Sequence, residues 1–539
     1  MSDLTTPKNA FEDMAFNRRR LLAGAGALTL TGVLAACGSS SSSSGGTTGG
    51  SSGTPKRGGN FRLAVTGGGS KDLMDGQTII TKPDQARLMT AFETLLQYDE
   101  NYKLQTTGLA TNVTQDKPTQ WTIELRQGIE FQNGKTFQAE DVVYSLKRII
   151  SPKEGLFGAA GLAAVDPNGM KAMDKYTVRL TLKSPSSIIA DQLAQYYNGM
   201  VPVDYKPYPA PQYGTGGYTL KSFTPGQQSV HERFANCWRH PEPYFDTVTI
   251  TDFPSATAQV NALLGGQADA MTDIPFSQVP VAKGQGQTVL VSKTGGWLPL
   301  CMAIDLSPFN DNNVRQAMRL LVDRPAMVQQ VLSGYGTVAN DLFSPFDPCF
   351  DGSLPQREQD VEKAKSLLKK AGLKGSVDLH TTNGAAGMVD SATVFANQVK
   401  AANVGITINV INDPNYYGNQ YLKLPFSVDF WGTRNYLSQV ANGMLPTAPY
   451  NETHWPPKSG PGSNYISLYN QALAETDPTK RCELIHEMQT IEYNEGGYII
   501  PFFNDLVDAY SSKLSGFQSS KGTLNLDSFG RGFCKPWFT

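Results

Sequence analysis

Trp121-Thr122-Ile123-Glu124-Leu125-Arg126-Gln127-Gly128-Ile129-Glu130-Phe131-Gln132-Asn133-Gly134-Lys135, continued by Ala139-Glu140-Asp141-Val142-Val143-Tyr144-Ser145-Leu146-Lys147-Arg148, changes its hydrophobic period midway. Residues 121–125 alternate apolar and polar side chains, the pattern of a half-buried strand. Val142, Leu146 and Ile149 instead recur at helical spacing. The glycines between them bound a turn, so the stretch reads as strand, turn, amphipathic helix. It also resembles a phosphate loop, but five residues separate Gly128 from Gly134 where that loop has four. The shift would misplace the amides that cradle a phosphate, and nucleotide binding is set aside.

The same alternation of periods runs through the chain. Val178 to Leu182 and Ile406 to Val410 read as strands, and Val314, Ala317, Met318 and Leu321 share one helical face. Pro325 after Asp323 marks a helix start, and Asp360 to Ala371 is a helix closed by Gly372. Strands interleaved with helices predict a mixed α/β architecture without internal repeats. From Gly58 to Thr539 about 480 residues remain, enough for two or three domains.

The N-terminus predicts where the protein works. Asn17-Arg18-Arg19-Arg20-Leu21-Leu22 opens an export signal with a twin-arginine-like cluster. The apolar run Leu21 to Ala36 falls short of the roughly 20 residues that span a bilayer. It ends in Leu34-Ala35-Ala36-Cys37, which resembles a bacterial lipobox in which Cys37 becomes the lipidated first residue. Residues 1–36 are thus expected as signal peptide and 37–57 as lipidated cysteine and linker. Gly38 to Thr54 is nearly all Ser, Gly and Thr, a flexible tether of roughly 20–25 Å end to end. Its Gly49-Gly50-Ser51-Ser52-Gly53 matches the hydrolase nucleophile pattern but lacks the strand-to-helix elbow that pattern needs. The expected location is the extracytoplasmic face of the bacterial membrane, by lipid anchor, or the periplasm.

Charge is close to balanced, −2 for the whole sequence. Without a basic stripe, nucleic acid is excluded as a partner. Beyond Cys37 stand Cys237, Cys301, Cys349, Cys482 and Cys534, with no CxxC spacing. Exported cysteines permit one or two disulfides with one thiol left free, in a pairing the sequence does not fix. His486-Glu487-Met488-Gln489-Thr490 starts like a zincin helix, but Thr490 stands where the second ligand belongs. His231, His240, His380 and His454 have no ligand spacing either. No metal, cofactor or catalytic residue is expected.

The opening stretch, Leu125 to Arg148, resembles the signature of the bacterial extracellular solute-binding proteins of family 5, receptors of ABC importers for oligopeptides, dipeptides and nickel. Further segments of that pattern follow in order: Ala91-Phe92-Glu93-Thr94-Leu95 before Tyr98-Asp99, and Gly214-Thr215-Gly216-Gly217-Tyr218 before Asn236-Cys237-Trp238. Pro308-Phe309-Asn310-Asp311 then leads into Val314-Arg315-Gln316-Ala317 and Val322-Asp323-Arg324, with Ile499-Ile500-Pro501-Phe502 near the end. The resemblance implies an α/β, two-lobed periplasmic-binding-protein-like fold with an inserted extra subdomain and a hinge-closing cleft between the lobes. Lobe I would comprise 58–92, 212–300 and 499–539, with 93–211 as its inserted subdomain, and lobe II 301–498. Chain crossings near Cys301 and Ile499 would form the hinge. The implied partners are a small-molecule ligand, ABC permease subunits and, through them, an ATPase; the receptor is expected to be a monomer.

In Ser427-Val428-Asp429-Phe430-Trp431, alternation sets Asp429 and Trp431 on one face and Val428 and Phe430 on the other. Peptide-binding relatives carry, three positions after the matching tryptophan, an aspartate that pairs with the peptide ammonium. Arg434 stands there in this chain. A guanidinium suits carboxylates and other acceptor-rich groups, so an anionic or oxygen-rich solute, such as a sugar conjugate or opine-like compound, is expected. The bland placements of Arg434 are pairing with Asp429 or a solvated surface. The candidate ligand contacts are Trp431, Arg434, Asn435, Tyr436, Trp297, Asp429, Phe503 and Asn504. Competing readings are an oligopeptide or metal-chelate receptor of the same family, a secreted hydrolase, and a surface sensor or adhesin.

Overall fold

The computed structural model describes residues 53–539 except 80, 413 and 414; the export signal, Cys37 and most of the linker lie outside the described residues. Three sheets organise the chain. The first has eight strands, in the order Gln287–Trp297, Phe502–Ser511, Ala270–Met271, Asn60–Thr66, Thr247–Phe253, Gln228–Arg233 and Tyr218–Thr224, with Gly336–Val338 also on Phe502–Ser511. Asn60–Thr66 runs parallel to both neighbours and buries apolar side chains on both faces. Phe61, Leu63 and Val65 enter one core and Ala64 another. Gly336–Val338 comes from the span expected as lobe II, yet its ladder lies in this first sheet.

The second sheet is ordered Gly405–Val410, Ser376–Thr381, Phe426–Val428, Leu300–Met302 and Tyr498–Ile499. The helices Asn312–Leu320, Arg324–Leu332, Val361–Ala371 and Met388–Val399 contribute to its core. Their ends follow the sequence signals. The Asp323 carboxylate accepts from the Ala326 amide at 2.9 Å, and Gly372 closes its helix at φ 71°, a conformation that glycine reaches without steric cost.

The opening stretch belongs to the third sheet, antiparallel and ordered Ala110–Lys117, Gln120–Leu125, Thr177–Leu182 and Val165–Ala172. Helix Ala139–Ile149 packs over it, with Val142, Leu146 and Ile149 wholly buried. The turn between docks this unit on the first sheet: the Gln132 amide donates to the carbonyls of Gly216 and Tyr218 and accepts from the Gly214 N–H. The segment is thus architectural.

Two short chain passages, each of two residues, lead directly from a strand of one of the first two sheets to a strand of the other. One is Leu298-Pro299, between Gln287–Trp297 and Leu300–Met302; the other is Ile500-Pro501, between Tyr498–Ile499 and Phe502–Ser511. Each holds a proline, which has no N–H to give a ladder and so breaks strand pairing where the sheets part. A disulfide joins Cys349 to Cys482. Among the described residues Cys237, Cys301 and Cys534 are free and buried, so one disulfide forms and three thiols remain there where one was expected.

The strand expected through 427–431 stops at Val428. Val428 is buried, whereas Phe430 is 48% exposed, so the two do not share an environment. Past Val428 the ladder gives way to a single bridge, in which Trp297 and Trp431 exchange backbone hydrogen bonds of 3.0 and 2.9 Å.

Candidate ligand-binding cleft

A cavity of about 770 Å³ opens where the three sheet units meet. The first sheet's unit supplies Lys82 and Gln85 from helix Lys82–Ala91, Trp297 and Asn504 from its strands, and Thr523 and Arg531 from the C-terminal segment. The inserted unit supplies Tyr98, Tyr102, Phe157, Tyr196 and Tyr197, and the second sheet's unit supplies Phe430 to Arg434. Aromatic side chains from all three units therefore stand in its walls. Tyr98 and Tyr102 stack at 4.1 Å; Trp297 stacks on Trp431 at 6.0 Å.

Among the described residues, six charged side chains line this space: Lys82, Glu93, Asp99, Asp273, Arg434 and Arg531. Five are committed elsewhere. Lys82 pairs with Asp273 at 2.6 Å. Glu93 binds Arg239 at 2.7 Å and the Trp238 indole at 2.8 Å. Asp99 accepts the amides of Asn101 and Lys103 within its own turn, and Arg531 pairs with Asp527 at 3.1 Å. Among the described residues Arg434 has no carboxylate partner; its guanidinium lies 5.1 Å above the Trp431 ring. Such a cation–π contact leaves the in-plane N–H groups available to acceptors.

The surroundings keep that cation alone. Burial pushes the Tyr197 phenol up to about 12, although the Arg434 charge pulls it down, and burial raises Tyr196 and Tyr102 as well. These phenols stay neutral at physiological pH and can offer hydrogen bonds but no countercharge. Beneath the cavity floor, the Trp431 indole donates to Glu452 at 3.0 Å, and Tyr498 also donates its hydroxyl to Glu452. Burial raises Glu452 and its neighbour Asp429, so this pair favours keeping a proton. Asp429 accepts from its own Phe430 amide at 2.8 Å and from the Tyr417 hydroxyl at 3.2 Å.

The structure divides the expected contacts. Trp297, Trp431, Arg434 and Asn504 line the cavity. Asp429 is buried behind it with Glu452, and no salt bridge joins Asp429 to Arg434. Asn435 donates to Asp191 of the inserted unit at 2.7 Å. Tyr436, expected as a contact, is fully buried, with its hydroxyl in a cluster with Tyr465 and Glu492. Phe503 is likewise in the apolar core beside the crossing. Phe503 faces away from the cavity that Asn504 lines because successive positions of a strand point to opposite sides. Tyr98, Tyr102, Phe157, Tyr196 and Tyr197 were not anticipated as contacts. Tyr196-Tyr197 is an aromatic doublet after the short helix Ile189–Leu193, the one local hint that sequence offered.

The family model described as bacterial extracellular solute-binding proteins, family 5 middle, matches residues 105–453, more than half of the chain. The glutathione-binding protein GsiB of Escherichia coli (strain K12) is 24% identical over 456 residues, covering 80% of this chain and 87% of its own. Among solved structures, the binding protein AgaA from A. tumefacien R10, in complex with agropinic acid, superposes with a TM-score of 0.74 at 20% identity. That match covers 89% of this chain and 99% of the other. The oligopeptide-binding protein AppA of Bacillus subtilis, in complex with a nonapeptide, gives 0.73 at 18% identity, covering 90% of this chain and 100% of the other.

Proposed function

The chain belongs to the bacterial extracellular solute-binding proteins of family 5, and from that premise we propose that it is the receptor of an ABC importer for a small carboxylated, oxygen-rich solute. It captures the solute in the aromatic cleft by closure of two lobes, performs no chemistry, and delivers it to permease subunits powered by an ATPase. Cys37 carries the lipid that holds it at the outer face of the cell membrane. The observation that carries the ligand class is that, among the described residues, Arg434 alone of the cavity's cations has no carboxylate partner. A carboxylate completes it through paired charge-assisted hydrogen bonds, while the ligand body packs against Phe430, Trp431 and the tyrosines. A volume near 770 Å³ holds one small solute, within the roughly 300–1,000 Å³ of small-molecule pockets.

A free-amino peptide fits less well. Its ammonium would need a carboxylate; Glu93 and Asp273 are paired with Arg239 and Lys82, and Asp99 is held by the amides of Asn101 and Lys103. The printed ligands of the relatives, glutathione and agropinic acid, both belong in the test.

That test is a thermal-shift and small-angle scattering screen against glutathione, agropinic acid, other opines, organic acids, oligosaccharides and di- to pentapeptides. A cognate solute at 100 times its Kd should stabilise the protein by about 2.7 kcal/mol and compact it. Peptides as the only hits, or a solute recovered chemically altered, would reject the proposal. Mass spectrometry of the purified N-terminus checks the lipid at Cys37.

A further inference from the structure

Resting on the reading of Arg434 as the anion-binding group, we propose that Tyr98 and Tyr102 are positioning residues that clamp the chain on both sides of Arg434 when the lobes close. The Tyr102 hydroxyl donates to the Thr433 carbonyl at 2.9 Å. The Tyr98 hydroxyl donates to Asp191 at 2.6 Å, and the same Asp191 oxygen receives the Asn435 amide at 2.7 Å. Residue 433 is thus held directly by Tyr102 and residue 435 by Asp191, the carboxylate that Tyr98 orients, and the two rings stack with a centroid separation of 4.1 Å and planes 2° apart. Arg434 lies between the two anchored positions.

The rest of Thr433 is bound by the first sheet's unit. Its amide donates to Thr523 Oγ1 at 3.0 Å, its hydroxyl donates to the Lys521 carbonyl at 2.8 Å, and that hydroxyl accepts from the Gly295 amide at 2.9 Å. Tyr102 itself holds φ 61°, in the left-handed region where a bulky side chain is an outlier. Its loop is fastened by Asp99, which takes the amides of Asn101 and Lys103. Such a conformation persists where the surroundings over-determine it, and here it aims the phenol across the cleft.

The clamp links recognition to closure. With the lobes apart, Thr433 and Asn435 lose these partners to water, and the Arg434 backbone is free to turn. With the lobes together, the guanidinium is fixed over Trp431. A carboxylate therefore finds its full hydrogen-bonding partner in the closed state alone, and that differential affinity is what shifts the equilibrium. Discrimination between an acid and its neutral analogue depends in this way on two tyrosine hydroxyls that need not touch the anion.

The experiment compares the full chain with a Tyr98→Phe, Tyr102→Phe variant, which keeps the stacked rings and removes both hydroxyls. Without solute, hydrogen exchange at the amides of 433–436 is expected to be about tenfold faster in the variant; unchanged exchange overturns the clamp. Glutathione, agropinic acid and the methyl ester of each serve as probes of discrimination. The parent is expected to prefer acid over ester by about tenfold or more and the variant by about threefold or less. An unchanged preference, or equal weakening of acid and ester, overturns the positioning role, the latter marking a packing role only. If neither acid binds the parent, the assignment of an anion of this kind fails while exchange still decides the clamp. Should the double variant not fold, Asn435→Ala releases one side of Arg434 and is held to the same two outcomes.

Discussion

Two arginine sites in the lobe built on the second sheet follow opposite plans. At Asp341, three guanidinia converge on one buried carboxylate: Arg324 at 2.7 Å, Arg357 at 2.8 Å and Arg319 at 4.0 Å. Arg319 also donates to the carbonyls of Tyr498 and Tyr493 at 2.9 Å, and Arg357 to that of Tyr493 at 2.8 Å. Asp341 in turn accepts the Ile500 amide at 3.0 Å, at the second chain crossing. At the cleft, Arg434 has an aromatic face and no anion. On the proposed function, the difference separates charge committed to architecture from charge held for a guest. Burial of an ion is tolerated where partners are built in; a half-buried cation left without one fits the proposed role of binding an acceptor-rich solute.

The strongest way to break this comparison is Asp341→Asn. Removing the shared carboxylate leaves three buried cations uncompensated, and urea denaturation should register a loss of about 3–5 kcal/mol. A loss below about 1 kcal/mol would mean that the carbonyls alone support the cluster. Next in size, Arg434→Gln should weaken binding of a carboxylated solute by about 1.5–3 kcal/mol in titration calorimetry. Its unfolding free energy should stay within about 0.5 kcal/mol of the parent. If stability falls as affinity does, Arg434 is architecture too and the contrast fails.

The pH response sharpens the same contrast. Burial raises Glu492 to about 7, with Tyr436 and Tyr465 donating to it and Arg319 opposing. A carboxyl raised on folding stabilises most below its unfolded value, and that contribution is lost as pH rises through about 7. Asp341, by contrast, is held below the usual carboxylate range: burial pushes it up, but the combined charge of Arg324, Arg319 and Arg357 outweighs that. Its contribution is present above the unfolded value and lost as pH falls through the lowered one. Denaturation midpoints of Glu492→Gln should therefore flatten the decline between about pH 5 and 8 by about 1–2 kcal/mol without touching the acid limb. The smallest effect expected is for Gly432→Ala. A Cβ there would come within 2.6 Å of Thr523 Oγ1 across the cleft, so closure should cost about 1 kcal/mol more and solute affinity drop accordingly, with unfolding unchanged.

The amino-acid sequence by itself determined the local grammar. Alternation at Gln120–Leu125 and Thr177–Leu182, helical spacing at Ala139–Ile149, the Asp323 cap and the Gly372 stop all stand in the fold as read, because each depends on neighbours within a few residues. The ordered motifs also carried the family, and the Trp431-to-Arg434 spacing pointed to the cleft. Only the tertiary structure decided which side chains share it. Tyr102 meets Thr433 across 331 positions of sequence and Asp191 meets Asn435 across 244. Tyr436 turned to the core rather than the ligand because Glu492 and Tyr465 were waiting there. Periodicity states which face of an element is buried; it carries no information about what lies opposite. Whether a charge is spent or spare is a property of that opposite surface, and long-range packing alone sets it.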